Sequence, residues 1–272
     1  MPNVKQITSE KMGTIYELSN DSGTIVRLSP EGARLLDWVV PVEEGRDIVV
    51  GFDTIEGHRQ ARYYGATIGP VAGRIAGTRF EIDGQEYQTE DNDGGNTLHG
   101  GSKGLDTDIW IAETFEEADN VGVIFTTTRQ DGDGGFPGNV RYQVTYTLTN
   151  DNELLLAYDA NTDKATLFNP TNHGYFNLTG DTQQPIDDHL VQINAEHVAE
   201  TNDDVTTTGE KTPVAGTKFD FRQERPMGTT MLDDPFLLDH GQEWDLKVTS
   251  PDQKVQLTVT TDRPAVVILS LI

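Results

Sequence analysis

The sequence predicts an all-β protein, a large antiparallel β-sandwich occupying 1–272 as a single domain. Short alternating runs bounded by Gly, Asn, Asp or Pro recur along the whole chain, and helical periodicity is almost absent. A βαβ fold would instead place about 10–15 residues of helical pattern between successive strands. No internal repeat or low-complexity linker interrupts the series.

The clearest element spans 79–88, two alternating runs joined by Asp83-Gly84, a pair whose tolerance of positive φ suits a two-residue type I′ turn. The same pattern predicts a strand at 121–128 and a hairpin of 140–149 with 154–160 across Asn150-Asp151-Asn152. A further hairpin is expected between 244–249 and 255–261, turning at Ser250-Pro251-Asp252. The loops at 91–101 and 131–138, rich in Gly and Asp, read as binding-face loops on a rigid scaffold. The chain closes on the apolar run 265–272, which calls for a pairing partner. It is therefore expected to be either part of a C-terminally incomplete domain or an edge covered by a second copy in a homodimer.

Composition narrows the partners. With 45 acidic against 20 basic residues the formal net charge is −25, a field that repels phosphate backbones and anionic lipid, so neither nucleic acid nor membrane is expected as a partner. Sugar phosphates are disfavoured for the same reason, and a solvated acidic surface of the salt-adapted kind accounts for the charge. Cysteine is absent, which removes disulfides, thiolate metal sites and a Cys nucleophile. No charged and apolar leader opens the sequence and no apolar run approaches the ~18 residues of a membrane span, so a cytoplasmic location is expected.

Two of the six histidines stand in contexts that suit ligand contact. His99 lies in Asn96-Thr97-Leu98-His99-Gly100-Gly101, where glycine neighbours allow close approach to the imidazole. His173 lies in Thr171-Asn172-His173-Gly174-Tyr175-Phe176-Asn177-Leu178, polar residues set between strand-like stretches. On its own, either could be a structural histidine satisfied by hydrogen bonds.

These stretches belong to an ordered set of four. The segment from Gly65 to Phe80, with Gly69-Pro70-Val71-Ala72-Gly73-Arg74-Ile75-Ala76-Gly77 at its centre, is followed by Asn96-x-Leu98-His99-Gly100-Gly101, then Asp131-Gly132-Asp133-Gly134-Gly135-Phe136-Pro137-Gly138, then Thr171 to Leu178. The set resembles the aldose 1-epimerase family over about 60–180, and that resemblance implies a galactose mutarotase-like supersandwich. It further implies an enzyme that interconverts the α and β anomers of free aldoses such as glucose and galactose, with no cofactor and no metal. By the same resemblance His173 would be the general acid at the ring oxygen, and His99 would bind the sugar nearby and assist polarisation. Arg74 and Asn172 would contact the substrate, and Asp233, in Leu232-Asp233-Asp234-Pro235-Phe236, would hold a hydroxyl pair, with Asp234 its rival. A histidine suits proton delivery because its ordinary pKa, near ~6.5, lets it hold either protonation state around neutrality.

The sequence departs from the family pattern at Pro70, where an Arg is usual, and at Gly73, where an Asn is usual. The family's base, a Glu in a segment resembling C-L-E-x-Q-x-x-P-D, has no counterpart here, Glu243 being the last Glu. Severely reduced turnover is the corresponding expectation, and the alternative is a non-catalytic carbohydrate-binding protein on the same fold. A glycoside hydrolase or lyase would need a carboxylate pair, and with 45 acidic residues some pair could always be nominated, so their presence singles out none. Asp131-Gly132-Asp133 resembles the start of a calcium loop, but Tyr142 stands where the closing bidentate Glu would be.

Overall fold

The computed structural model describes residues 1–270, which pack as two compact units, 1–176 and 177–270. In the first, a five-stranded antiparallel sheet runs in chain order through Asn3–Ser9, Gly13–Ser19, Ile25–Ser29, Arg34–Val40 and Arg46–Asp47. A four-stranded meander of Ile111–Glu116, Asn120–Arg129, Val140–Thr149 and Leu154–Thr162 forms the other sheet. Both sheets contribute to one core, Leu18, Val26 and Leu28 from the first meeting Val123, Phe125, Val144 and Tyr146 from the second. The strict alternation of Val140–Thr149, with every second residue buried, shows how the pleat sorts its side chains.

The expected hairpins form. Arg79–Ile82 pairs with Gln85–Gln88, and Asp83 and Gly84 take φ of 52° and 79°, as the type I′ turn requires. Val140–Thr149 pairs with Leu154–Thr162 around Asn152, itself left-handed at φ 65°. Among the described residues the one α-helix, Ile55–Gln60, starts where the Thr54 hydroxyl accepts the Gly57 N–H and ends within two turns.

The second unit holds two four-stranded sheets. One orders Arg225–Pro226, Leu190–Ile193, Leu246–Thr249 and Gln256–Val259, so the last predicted hairpin is present in shortened form. The other orders Thr207–Pro213, His197–Thr201, Asp233–Leu237 and Ala265–Leu269. The apolar run that closes the sequence thus finds a partner within the chain, with Pro235 opposite Val267, while residues 271–272 lie outside the described ones. Val191, Ile193, Val198, Phe221, Phe236 and Leu246 supply the core of this unit. Among the described residues no helix is long and apolar enough to cross a membrane.

Candidate active site

A buried arginine organises the relevant part of the first unit. Arg34 is only 2% exposed, and its guanidinium donates to the carbonyls of Tyr64 and Arg62, the latter at 3.0 Å. Burial lowers its pKa, but a guanidinium remains charged, so the two carbonyls on either side of Tyr63 are held by a cation. Arg62 in turn sends its side chain to buried Asp106, Nε to Oδ2 at 2.7 Å and Nη2 to Oδ1 at 2.9 Å. That fork places the Arg62 guanidinium 4.9 Å over the Tyr63 ring.

Two small ribbons bring the motif residues to this turn. Arg74–Ile75 pairs with Thr97–Leu98, Leu98 opposite Arg74, which sets His99 against Gly73. The His99 N–H donates to the Gly73 carbonyl at 2.9 Å, and the Gly73 N–H donates to His99 Nδ1 at 3.0 Å. His99 adopts a left-handed φ of 53° to make this exchange. Because Nδ1 accepts, the proton of the neutral ring sits on Nε2. Burial pushes the His99 pKa down to about 3, assisted by the charges of His173, Arg74 and Arg62, so this ring is a neutral Nε2–H donor at neutral pH.

The second ribbon joins Thr67–Ile68 to Thr171–Asn172. It continues as the His173 N–H donates to the Ala66 carbonyl at 2.8 Å and the Gly65 N–H to the His173 carbonyl at 2.9 Å. The Asn172 amide donates to the Gly65 carbonyl at 2.7 Å and to the Tyr146 hydroxyl at 3.0 Å, so both its protons tie the ribbon to the core. Tyr146 completes the tie by donating to the Ala33 carbonyl at 2.8 Å, and burial raises its pKa to about 12.

The imidazoles of His99 and His173 consequently lie 5.2 Å apart, nearly perpendicular at 78°. Tyr63 contacts both, 4.8 Å from His99 and 5.8 Å from His173, and Tyr175 lies 5.2 Å from His173 on another side. Both histidines are half-buried and so reach solvent. Arg74 donates from Nε to Asp93 at 2.6 Å, and among the described residues its Nη groups make no hydrogen bond. Four of the sequence-predicted site residues, Arg74, His99, Asn172 and His173, therefore share one part of the first unit. Asp233 belongs to the second unit, where it opens Asp233–Leu237 as an exposed residue whose N–H donates to the Asp234 carboxylate at 3.1 Å.

Sequence reasoning missed Tyr63, Arg62, Asp93 and Asp106. The available signal was the pair Tyr63-Tyr64 directly before Gly65, at the edge of the first motif. The loop at 131–138 uses its own carboxylates locally, with Asp131 accepting from Gly138 N–H at 2.7 Å and pairing with Lys164. Asp133 accepts from Gln130 N–H at 2.9 Å.

Known proteins share both the sequence and the fold. The family model described as aldose 1-epimerase matches residues 14–270. Galactose mutarotase of Homo sapiens is 41% identical over 225 residues, covering 81% of this chain and 64% of that protein. Maltose epimerase of Levilactobacillus brevis is 36% identical over 258 residues, covering 88% of this chain and 75% of that protein. The crystal structure of galactose 1-epimerase from Lactobacillus acidophilus NCFM superposes with a TM-score of 0.88 at 29% identity, covering 98% of this chain and 82% of that one. With the match running through both units and the paired histidines standing on motifs of that kind, this chain belongs to the aldose 1-epimerase family.

Proposed function

We propose that the cluster around His99 and His173 binds a free aldose and promotes exchange between its α and β anomers. One observation carries this reading: two half-exposed imidazoles meet edge to face and are not chemically equivalent. Opening a pyranose requires a proton delivered to the ring oxygen and one withdrawn from the C1 hydroxyl, after which the aldehyde turns and recloses. His99 is neutral with Nδ1 occupied by Gly73, so it supplies a fixed Nε2–H hydrogen bond to the ring-oxygen region without releasing its proton. His173 is then the group that moves a proton to the ring oxygen, and the Nη groups of Arg74 take sugar hydroxyls. Asn172 acts through the ribbon that carries His173, since its amide protons are committed to Gly65 and Tyr146.

Withdrawal of the C1 proton is the part of the reaction that this cluster does not supply. Asp93 is paired with Arg74, and Asp106 is buried beneath Arg62. A general base contributes about 10²–10⁴-fold in rate, so the speed of mutarotation also reads whether a group outside this cluster supplies one. The substrates we assign are glucose and galactose, in keeping with relatives named galactose mutarotase and galactose 1-epimerase. Polarimetry on freshly dissolved α-D-glucose and α-D-galactose tests the reading, with calorimetric titration of the same sugars beside it. Binding with accelerated mutarotation supports it, binding with no acceleration leaves a carbohydrate-binding protein, and no binding ends it.

A further inference from the structure

The geometry points to Tyr63 as a positioning and substrate-contacting residue of the sugar site, its ring fixing the angle between the two imidazoles and its hydroxyl offered to a sugar hydroxyl. The inference rests on the sugar-binding reading above and adds to it a residue that no motif named. Its basis is how heavily this one side chain is constrained. The carbonyls flanking Tyr63 are both held by the buried guanidinium of Arg34, and its own carbonyl accepts the Ala66 N–H at 3.0 Å. A second guanidinium, that of Arg62, is locked by buried Asp106 and covers the ring at 4.9 Å. The ring then stacks on His173 at an interplanar angle of 27° and meets His99 edge to face at 80°.

Against that, the Tyr63 hydroxyl has no hydrogen-bond partner among the described residues, and it is not among the polar atoms sealed from solvent. Tyr146 and Trp110, two buried polar aromatics of the same unit, both bond the backbone, Tyr146 to Ala33 at 2.8 Å and Trp110 to Leu105 at 3.1 Å, while the Tyr158 hydroxyl is sealed away without a hydrogen-bond partner among the described residues. A polar aromatic held on so many sides with its polar tip open is arranged for something that arrives from solvent. A sugar fits, because a phenol can both donate to and accept from adjacent hydroxyls while the ring face meets C–H groups. The ring touches both imidazoles, which meet edge to face at 5.2 Å, and so holds the angle at which each addresses a different atom of the ligand.

The test needs no turnover. Wild type, Tyr63→Phe, Tyr63→Leu and Arg62→Gln are titrated with D-galactose by calorimetry, and the imidazole resonances of His99 and His173 are recorded by NMR on the sugar-free proteins. Loss of one neutral hydrogen bond corresponds to about a 3- to 10-fold rise in Kd for Tyr63→Phe, with both imidazole resonances retained because the ring remains. Tyr63→Leu is expected to shift both resonances, as ring stacking is lost, and to weaken galactose further. Arg62→Gln keeps the ring and is expected to shift the same resonances by less, which guards against a Leu variant that fails to fold. An unchanged Kd in Tyr63→Phe overturns the hydroxyl contact, and unmoved resonances in Tyr63→Leu or Arg62→Gln overturn the positioning role. If wild type binds no galactose, the sugar reading itself has failed, while the imidazole spectra still decide whether Tyr63 sets the ring geometry.

Discussion

Each unit of the molecule carries three histidines, and two of those in the first unit, His99 and His173, are placed differently from the rest. In the second, His189 is 3% exposed and bonds backbone with both nitrogens, Nε2 to the Leu178 N–H at 3.0 Å and Nδ1 to the Ile186 carbonyl at 3.1 Å. His240 pairs its Nδ1 with Asp245 at 3.1 Å. In the first unit His58 is likewise buried, accepting from the Phe52 N–H at 3.3 Å. His99 differs from the buried His58 and His189 in exposure: the Gly73 N–H takes Nδ1 and fixes the tautomer of a ring that is only half-buried, whereas His58 leaves its second nitrogen sealed in the interior without a hydrogen-bond partner among the described residues. The lesson is that an imidazole available to solvent is marked by a backbone-fixed tautomer together with partial exposure, more than by polar neighbours in sequence.

The strongest way to break this contrast is to remove one ring from each set. His173→Ala is expected to slow mutarotation by about 10²–10⁴-fold in polarimetry, at fixed folded protein. His189→Ala should leave the rate per folded molecule as it is, and lower stability by about 1–3 kcal/mol in urea unfolding, because the buried ring's hydrogen bonds to Leu178 and Ile186 are lost. A rate loss in His189→Ala comparable to that of His173→Ala would erase the distinction.

Core substitutions sharpen it next. Phe236, fully buried in the second unit, should cost about 3–5 kcal/mol as Phe236→Ala. Tyr146→Phe in the first unit removes only a hydroxyl, and should cost about 1–2 kcal/mol while loosening the Asn172 tie and so weakening galactose binding.

Acid comes third. Burial depresses His99 to about 3 and His58 to about 4, both below their unfolded value near ~6.5. The unfolded chain therefore binds more protons between those limits, and the stability these groups contribute is complete above pH ~6.5 and is lost as pH falls toward 3. Asp47, which burial raises to about 6, and Asp108, which burial also raises, oppose them, but burial lowers His189 as well, so two groups stand against three. Thermal melts from pH 7 to 4 should show the melting temperature falling, and His58→Gln should flatten that slope. The smallest effect is ionic. At a net charge of −25, raising KCl toward 1 M, where the Debye length is about 3 Å, should raise the melting temperature of the whole protein.

What could be read in advance was what local chemistry dictates. Asp83-Gly84 specifies its turn by φ tolerance alone, and the alternation of Val140–Thr149 specifies a half-buried strand, so both were legible. The pairings of Thr67–Ile68 with Thr171–Asn172 and of Arg74–Ile75 with Thr97–Leu98 are short and far apart in sequence, and two residues carry no periodicity. His99 and His173 were visible through their motifs. Their meeting, and the Arg34, Arg62 and Asp106 framework around Tyr63, depends on tertiary contacts between segments that look unremarkable singly. The boundary at Phe176 and Asn177 falls inside the Thr171 to Leu178 motif, where composition gives no sign of a break.

The left-handed backbone at His99 has one more implication. A side chain with a Cβ in that region carries a local penalty of roughly 1–2 kcal/mol that glycine would not. Directed evolution for heat tolerance alone would therefore be drawn to substitute glycine at this position, and the hardiest survivors of such a screen would be the variants lacking the imidazole to which we assign the sugar contact.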